Sequence, residues 1–242
     1  MIEVKKIVKE YQSGETVVHA LRGVALSSQQ GEFLSIAGPS GSGKTTLLNL
    51  IGCIDTADSG EILINGSAVS GRNKKELALF RRDNLGFVFQ SFNLIPVLTA
   101  YENVAFALNL LNLKNGEVRE RTMRILHEVG LEGMEDRRPA KLSGGQQQRV
   151  AVARALVKNP AIILADEPTA NLDSDTGREV LELMEKMNER YTTTFIFSTH
   201  DRMVMDFAQR LVKLHDGLIT GDELRSCWTA SLRGWRRSRR ST

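Results

Sequence analysis

The sequence predicts an α/β fold in which a mostly helical segment is inserted into a parallel-sheet core. Two short buried strands support this prediction: FLSIAG, which precedes a glycine-rich loop, and IILADEP, which ends in an acidic pair. Between them, apolar residues recur at helical spacing over residues about 92–158, and the strand–helix alternation resumes from Ala161. Residues 1–90 are expected to alternate strands and loops around the glycine-rich segment and the helix that follows it.

Composition places the chain among ordinary soluble globular proteins. It has 242 residues, of which 41% are hydrophobic and 25% charged. No stretch approaches the ~18 apolar residues that suggest a membrane span, and no apolar signal-peptide core follows the charged residues at positions 3, 5 and 6. We therefore expect a cytoplasmic chain that reaches a membrane only through a partner. The two cysteines and four histidines are too scattered for a disulfide framework or a zinc site.

Positive charge is concentrated at the carboxyl end. The net charge is +3, but residues 225–242 hold six arginines and no acidic residue, so residues 1–224 carry 3 − 6 = −3. A nearly neutral body argues against nucleic-acid binding, which needs a basic face. We expect one domain over 1–224 and a basic, disordered tail over 225–242, since termini are poorly ordered unless held. A contact of the tail's arginines and tryptophans with anionic lipid is the alternative.

The glycine-rich loop has the pattern of a phosphate-binding loop. GPSGSGKT fits G-x-x-x-x-G-K-[ST] and lies between a strand and a helix, as this motif requires. Glycines let backbone N–H groups turn towards phosphate oxygens, and the helix N-terminus adds partial positive charge. Lys44 is expected to reach the β- and γ-phosphates, and the Thr45 hydroxyl to ligate Mg²⁺. The candidate binding residues are Gly38, Pro39, Ser40, Gly41, Ser42, Gly43, Lys44, Thr45 and Thr46. An accidental glycine-rich turn is the alternative.

The second strand supplies a candidate metal ligand and a candidate base. Asp166 ends the apolar run IILAD, at the strand end where α/β sheets bind their ligands, and can hold Mg²⁺. Glu167 follows directly and can polarise an attacking water. Taken alone, the pair could be a solvated acidic turn. Beside a phosphate loop, it indicates nucleotide hydrolysis.

Other nucleotide-binding classes fit less well. A GTPase needs N-K-x-D late in the chain, and the nearest match, NKKE at Asn73–Glu76, comes too early and ends in glutamate. A small-molecule kinase would not explain the stretch LSGGQQQRVAVARAL at Leu142–Leu156.

That stretch predicts a second phosphate site. Ser143 is a good helix N-cap, and Gly144 and Gly145 leave the first N–H groups of the helix accessible. Because Gly38–Thr45 already surrounds the phosphates of its own nucleotide, the helix is expected to cover the nucleotide of another copy. Two chains would then sandwich two ATP molecules head to tail, with Ser143–Gln146 of each contacting the partner's ATP.

The chain is identified by these motifs as resembling the ABC-type ATPases, the nucleotide-binding subunits of ABC transporters. LSGGQQQR is similar to the signature motif of that family, and the resemblance covers Met1 to about Asp222. It implies a RecA-like parallel sheet, an antiparallel β part and an inserted helical subdomain at about 92–158. It also implies ATP and Mg²⁺ as cofactors.

The resemblance also implies roles for single residues. Tyr11 would stack on adenine, and Gln90 would be the glutamine that senses Mg²⁺ and the transporter contact. Asp173, in the segment ANLD, would cross to the partner chain, and His200 would touch the γ-phosphate. Taken alone, Tyr11 could be a surface aromatic, His200 a structural histidine and Asp173 a helix cap, which does not exclude the partner role.

Three stretches narrow the resemblance to the lipoprotein-releasing and macrolide-exporting group: NLGFVFQSFNLIPVLTAYENV, LSGGQQQRVAVARAL and LADEPTANLD. In that group a homodimer lies beneath membrane permease subunits, at the cytoplasmic face of the bacterial inner membrane. A cell-division ABC ATPase is one alternative. A soluble ABC ATPase acting on DNA or ribosomes is another, although such proteins usually carry coiled coils, zinc modules or two ATPase halves, which this sequence lacks.

Overall fold

Two β-sheets and seven α-helices make up residues 2–225, which are the residues that the computed structural model describes. The strands are β1 (Ile2–Ser13), β2 (Thr16–Ser28), β3 (Phe33–Ala37), β4 (Ser59–Ile64), β5 (Ser67–Ala68), β6 (Leu85–Val88), β7 (Ile162–Asp166), β8 (Thr194–Thr199), β9 (Arg210–His215) and β10 (Leu218–Leu224). The helices are α1 (Lys44–Ile51), α2 (Lys74–Asn84), α3 (Ala100–Asn109), α4 (Asn115–Glu128), α5 (Gly144–Leu156), α6 (Ser174–Tyr191) and α7 (Arg202–Phe207), with a 3-10 turn at Pro139–Lys141.

The larger sheet has the order β10-β9-β3-β8-β7-β6, and only β10 runs antiparallel to its neighbour. The parallel register pairs Ala37 with Thr199 and Asp166 with Ser198. The carboxyl ends of β3, β7 and β8 therefore meet at one edge. This is the edge where open α/β sheets bind ligands.

The smaller sheet, in the order β2-β1-β4-β5, is antiparallel and covers one face of the larger one. Ile7, Leu21, Leu34 and Leu47 are fully buried in the core between them. The opposite face is covered by α3 to α6. Burying one such aliphatic side chain stabilises the fold by about 1.5–3 kcal/mol, so both layers are held firmly to the sheet. The RecA-like parallel sheet with an antiparallel part that the family resemblance implied is confirmed.

The segment 92–158 contains α3, α4, the 3-10 turn and α5, and no strand. Thr99 begins α3 as expected: its hydroxyl accepts from the Glu102 N–H, and the Glu102 carboxylate accepts from the Thr99 N–H.

Among residues 2–225, no helix is long and apolar enough to cross a bilayer. Most of the predicted tail lies outside the described residues. Its first residue, Arg225, is bound to the Met205 carbonyl and the Asp206 carboxylate.

One helix contradicts the expected strand–loop alternation of residues 1–90. The segment NKKE begins α2: the Asn73 side chain accepts from the Glu76 N–H, and Glu76 accepts from the Asn73 N–H. This reciprocal cap is a strong helix start. The sequence analysis missed this helix because only Leu77 of α2 is buried, so α2 lacks the apolar stripe by which the other helices were predicted.

Candidate functional site

The glycine-rich loop connects β3 to α1, and three of its glycines have a backbone reason. A Cβ on Gly38 would lie 2.0 Å from the Leu214 carbonyl oxygen. Gly41 and Gly43 have φ angles of +79° and +100°, which side chains with a Cβ rarely adopt. The loop therefore packs closely against β9 and turns into α1, whose first N–H groups receive no side-chain cap, as phosphate binding requires.

Lys44 is the first residue of α1 and is 93% buried. Its ammonium group donates to the carbonyls of Gly38, at 2.7 Å, and Pro39, at 2.9 Å. A cation held inside the loop, beside the positive end of a helix, creates a strongly anion-attracting position. Carbonyl oxygens compete weakly with phosphate oxygens for an ammonium group, so this geometry suits a phosphate ligand.

Thr45 and Asp166 meet at the sheet edge. The Thr45 hydroxyl lies 3.3 Å from Asp166 Oδ1 and 3.4 Å from Oδ2. Over residues 2–225 there is no cluster of three or more histidine, cysteine, aspartate or glutamate side chains that could hold a metal alone. One hydroxyl and one carboxylate fit Mg²⁺, which takes most of its ligands from water and substrate phosphates.

Glu167 is held rigidly beside the phosphate loop. Its backbone is left-handed, with φ of +46°, and its N–H donates to the Ser198 carbonyl at 2.9 Å. One carboxylate oxygen accepts from the Thr199 hydroxyl at 3.0 Å; the other accepts from the His200 N–H at 3.1 Å and lies 2.6 Å from His200 Nδ1. A strained backbone fixed by this many contacts is typical of a functional position.

Lys44, Thr45, Glu167 and His200 face an open cleft of about 770 Å³. It is lined by Tyr11, Val17, Val18, His19, Ala20, Arg22, Ser40, Gly41, Gly43, Lys44, Thr45, Thr46, Gln90, Glu167, His200 and Asp216. One end is the phosphate loop, and the other is the β1–β2 hairpin, where Tyr11 pairs with Val18. The sequence did not single out the wall from Val17 to Arg22, because that wall follows from the antiparallel register of the hairpin.

Most predicted residues converge on this cleft. Of the remainder, Gly38 and Pro39 accept from the Lys44 ammonium group, the Ser42 N–H donates to the Pro39 carbonyl, and Asp166 accepts from the Thr45 hydroxyl. Gln90 lines the cleft, and its carbonyl accepts from the Asn171 amide at 3.0 Å. This bond ties the segment after β6 to the segment before α6.

The start of the signature segment, Ser143–Gln146, does not line this cleft. Ser143 begins α5 with a reciprocal cap, in which its hydroxyl accepts from the Gln146 N–H and Gln146 Oε1 accepts from the Ser143 N–H. Asp173 begins α6 by accepting from the Thr176 N–H, which also lowers the pKa of Asp173. Among the described residues that line the cleft, none comes from Ser143–Gln146 or is Asp173.

Gly145 has a structural role that the sequence did not reveal. It is buried, and a Cβ on it would lie 2.4 Å from the Thr176 methyl group on α6. This packing role of Gly145 is additional to the prediction that Gly144 and Gly145 leave the helix end bare. Gly145 lets α5 and α6 approach, whereas Ser143 is exposed and Gly144 is half-buried.

The fold and the cleft define a nucleoside-triphosphate-binding protein with a phosphate loop. A family model described as ABC transporter matches residues 21–170, and the chain belongs to this family. It is 47% identical over 229 residues to the ABC transporter ATP-binding protein MJ0796 of Methanocaldococcus jannaschii, covering 92% of this chain and 97% of that one. It is 44% identical over 219 residues to the lipoprotein-releasing system ATP-binding protein LolD of Alcanivorax borkumensis, covering 90% and 96%.

Two further comparisons bear on architecture. The macrolide export ATP-binding/permease protein MacB of Bdellovibrio bacteriovorus is 42% identical over 223 residues, and this chain spans 34% of its length. The solved structure of the cassette MJ0796, a dimer in a post-hydrolysis state bound to ADP and Pi, aligns with a TM-score of 0.85 at 46% identity, covering 93% of this chain and 98% of that one. The predicted ABC ATPase fold is confirmed, and the chain is an ATP-binding ATPase domain of this family.

Proposed function

We propose that this chain hydrolyses Mg²⁺-bound ATP in a cleft shared by two copies and thereby drives membrane permease subunits. The single observation that carries the proposal is the divided site. Lys44, Thr45 and Glu167 line one cleft, whereas the helix start at Ser143 lies outside it. A second copy can supply that helix start to the same nucleotide.

The phosphate end of the cleft suits ATP. In the proposal, Lys44 binds the β- and γ-phosphates together with the free N–H groups of α1. Thr45, Asp166 and Gln90 hold Mg²⁺, which when bound supplies neutralisation of phosphate charge. Tyr11 stacks on the adenine at the other end of the cleft.

Glu167 is proposed as the group that orients the attacking water. Its carboxylate accepts hydrogen bonds already, and a water placed between it and the γ-phosphate would donate to the same oxygens. His200 Nδ1 is bonded to Glu167, which leaves Nε2 of the ring as the nitrogen available to the γ-phosphate. Thr199 fixes the glutamate from the opposite side.

The homodimer is proposed from the same geometry. MJ0796, the relative with the solved ADP- and Pi-bound structure, is a dimer. The start of α5 reaches the surface, with Ser143 exposed and Gly144 half-buried, and Leu172 beside Gly144 brings the exposed Asp173 at the start of α6 near it. Head-to-tail pairing would bring both segments against the partner's ATP.

The transporter type is proposed from the relatives. LolD is an ATP-binding protein of a lipoprotein-releasing system, and MacB a macrolide export ATP-binding/permease protein. We propose that this chain belongs to a system of the same kind, bound to permease subunits at the cytoplasmic face of a bacterial inner membrane. The cargo would then contact only the membrane subunits.

The proposal is tested with Glu167→Gln, which keeps the size of the side chain. We expect hydrolysis to slow by on the order of 10²–10⁴-fold, because the water loses its acceptor. That range equals about 3–5 kcal/mol of barrier. ATP should still bind, and the mass of the protein in solution by light scattering should double when ATP is added.

Two results would overturn parts of the proposal. Hydrolysis at the wild-type rate would remove Glu167 from its role. A mass that ignores ATP, in protein shown by calorimetry to bind ATP, would contradict the ATP-driven dimer. Glu189→Gln, at an exposed position on α6, is the matched control and should change neither hydrolysis nor mass.

A further inference from the structure

The loop between α1 and β4 (residues 52–58) lies against Tyr11, and the mechanism above does not use it. The Tyr11 hydroxyl donates to Asp55 Oδ2 at 2.8 Å. The Lys9 ammonium lies 5.0 Å from the centroid of the Tyr11 ring. The aromatic ring is therefore held both at its hydroxyl and over one face.

Lys9 is unusual because its ammonium group is buried in a set of acceptors. The residue is 8% exposed, and its ammonium group donates to the Thr56 carbonyl at 2.8 Å. The same group lies 3.4 Å from Asp55 Oδ1 and 3.5 Å from Asp58 Oδ1. Burial alone would lower the pKa of Lys9, but the two carboxylates outweigh it, so the pKa of Lys9 is raised and the cation persists at neutral pH.

The same loop is connected to the phosphate-binding helix. Asp58 Oδ2 accepts from the Glu10 N–H at 2.7 Å, which fixes the loop to β1 beside Tyr11. The Asp55 N–H donates to the Asn49 carbonyl on α1 at 3.3 Å. Because α1 begins at Lys44, this chain of bonds joins the phosphate end of the cleft to its aromatic end.

The burial of Lys9 and the exposure of Tyr11 indicate which face of the Tyr11 ring is open to a ligand. Tyr11 lines the cleft and is 39% exposed, whereas Lys9 is buried and does not line it. A buried cation that does not line the cleft is expected on the side of the ring away from the cleft. It offsets the negative charge of the ring face, which reduces repulsion towards the π-face of a base on the open side. A ring fixed in advance also loses less conformational freedom when a ligand stacks on it.

We propose that Lys9 and Asp55 are positioning residues that hold Tyr11 as a ready platform for the nucleobase. The inference rests on the proposed stacking of adenine on Tyr11 and adds the groups that make it effective. They act on the base through Tyr11, without touching nucleotide. Their effect should therefore appear only with ligands that carry a base.

Lys9→Met tests this with two probes, ADP and inorganic tripolyphosphate, each titrated by calorimetry into the full chain with Mg²⁺. We expect ADP affinity to fall by about 3- to 10-fold, the size of a lost cation–π contact, with tripolyphosphate affinity unchanged. Lys9→Arg should restore most of the ADP affinity, because a guanidinium can occupy the same face. Lys5→Met is the matched control: an exposed lysine on the same strand, paired with Glu61, whose loss should change neither affinity.

Substitution of Tyr11 distinguishes a failure of the proposed adenine stacking from a failure of the positioning role of Lys9. Tyr11→Ala should lower ADP affinity by about 5- to 150-fold, the range of base–aromatic stacking. In that background Lys9→Met should have no further effect on ADP. If Tyr11→Ala leaves ADP binding intact, the proposed stacking fails, and this inference with it. If Tyr11→Ala weakens ADP binding but Lys9→Met does not, or if Lys9→Met weakens both probes equally, the positioning role alone is refuted.

Discussion

At the scale of single residues, the site depends on charges held by backbone and neighbouring strands. Lys44 contacts two carbonyls of its own loop, and Glu167 is bonded from β8 through Thr199 and His200. Each group is held by hydrogen bonds within the protein. Preorganised charge of this kind acts on phosphate without the cost of rearranging at the moment of reaction.

Asp166 gives the residue-scale prediction for the metal. In wild-type protein, we expect Mg²⁺ to strengthen ATP binding, because Thr45 and Asp166 offer oxygen ligands beside the phosphates. Asp166→Asn removes the negative charge but keeps an oxygen, so the gain from Mg²⁺ should fall by about tenfold or more. The check is calorimetric titration of ATP with Mg²⁺ and with EDTA.

The comparison contains its own control. In EDTA the wild type and Asp166→Asn should bind ATP about equally, or the mutant slightly better, because a negative charge near the phosphates is gone. An equal gain from Mg²⁺ in both proteins would mean that the metal is held elsewhere.

At the scale of elements, α5 and α6 approach each other closely at Gly145. Gly145→Ala would place a Cβ 2.4 Å from the Thr176 methyl group, so either the Thr176 side chain or one of the two helices must shift. We expect a loss of about 1–3 kcal/mol in the free energy of unfolding, measured in urea. Thr176→Ser in the same chain removes that methyl group and should restore most of the loss. Failure of this rescue would place the role of Gly145 elsewhere.

A matched change elsewhere shows whether the effect is specific. Gly116 is exposed in the first turn of α4, and a Cβ on it would meet no atom within 4 Å. Gly116→Ala should leave stability unchanged or raise it by up to about 1 kcal/mol, because alanine favours helix. A loss there equal to that of Gly145→Ala would mean that a methyl group near the start of either helix is destabilising, and that the α5–α6 contact is not the cause.

Elements with local signals could be predicted from the sequence. Ser143, Thr99 and Asp173 each accept from an N–H two or three positions into the following helix, and all three caps follow from residue type and spacing. The helix α2 carried the same kind of signal at Asn73, but its weak apolar pattern obscured it. Contacts set by register or packing were not predictable: Val18 opposite Tyr11 and Thr176 beside Gly145 depend on how distant segments meet.

At the scale of the whole molecule, the residues that perform the chemistry of the site could be predicted from the sequence, whereas the contacts that hold them in place could not. The phosphate end of the cleft is formed by the glycine-rich loop and by Glu167 after β7, which could be predicted because phosphate chemistry requires particular residue types. The support for Tyr11 comes from the loop at residues 52–58, where charged residues resemble any solvated turn until the fold brings them to β1. Residue types and their spacing therefore predict the chemistry of the site, whereas the contacts that hold its side chains in place become visible only in the three-dimensional structure.

The divided site makes a prediction about pairs of chains. Lys44→Ala should abolish phosphate binding in its own cleft, and Ser143→Arg should block the helix end that reaches the partner's ATP. Each variant alone should be inactive, because every site in its dimer contains one damaged half. Mixed together, the two variants form some dimers in which one site joins the intact loop of one chain to the intact helix of the other.

Random pairing of the two inactive variants at equal amounts should therefore restore about a quarter of the wild-type number of complete sites, since half of the dimers are mixed and each has one complete site. The measurement is ATP hydrolysis of the mixture against each variant alone. The double variant Lys44→Ala/Ser143→Arg mixed with wild type is the control, because its mixed dimers contain no complete site. If each chain instead used its own helix, the first mixture would stay inactive, and those mixed dimers would keep the site of the wild-type chain. The two arrangements therefore predict opposite results from the same four proteins.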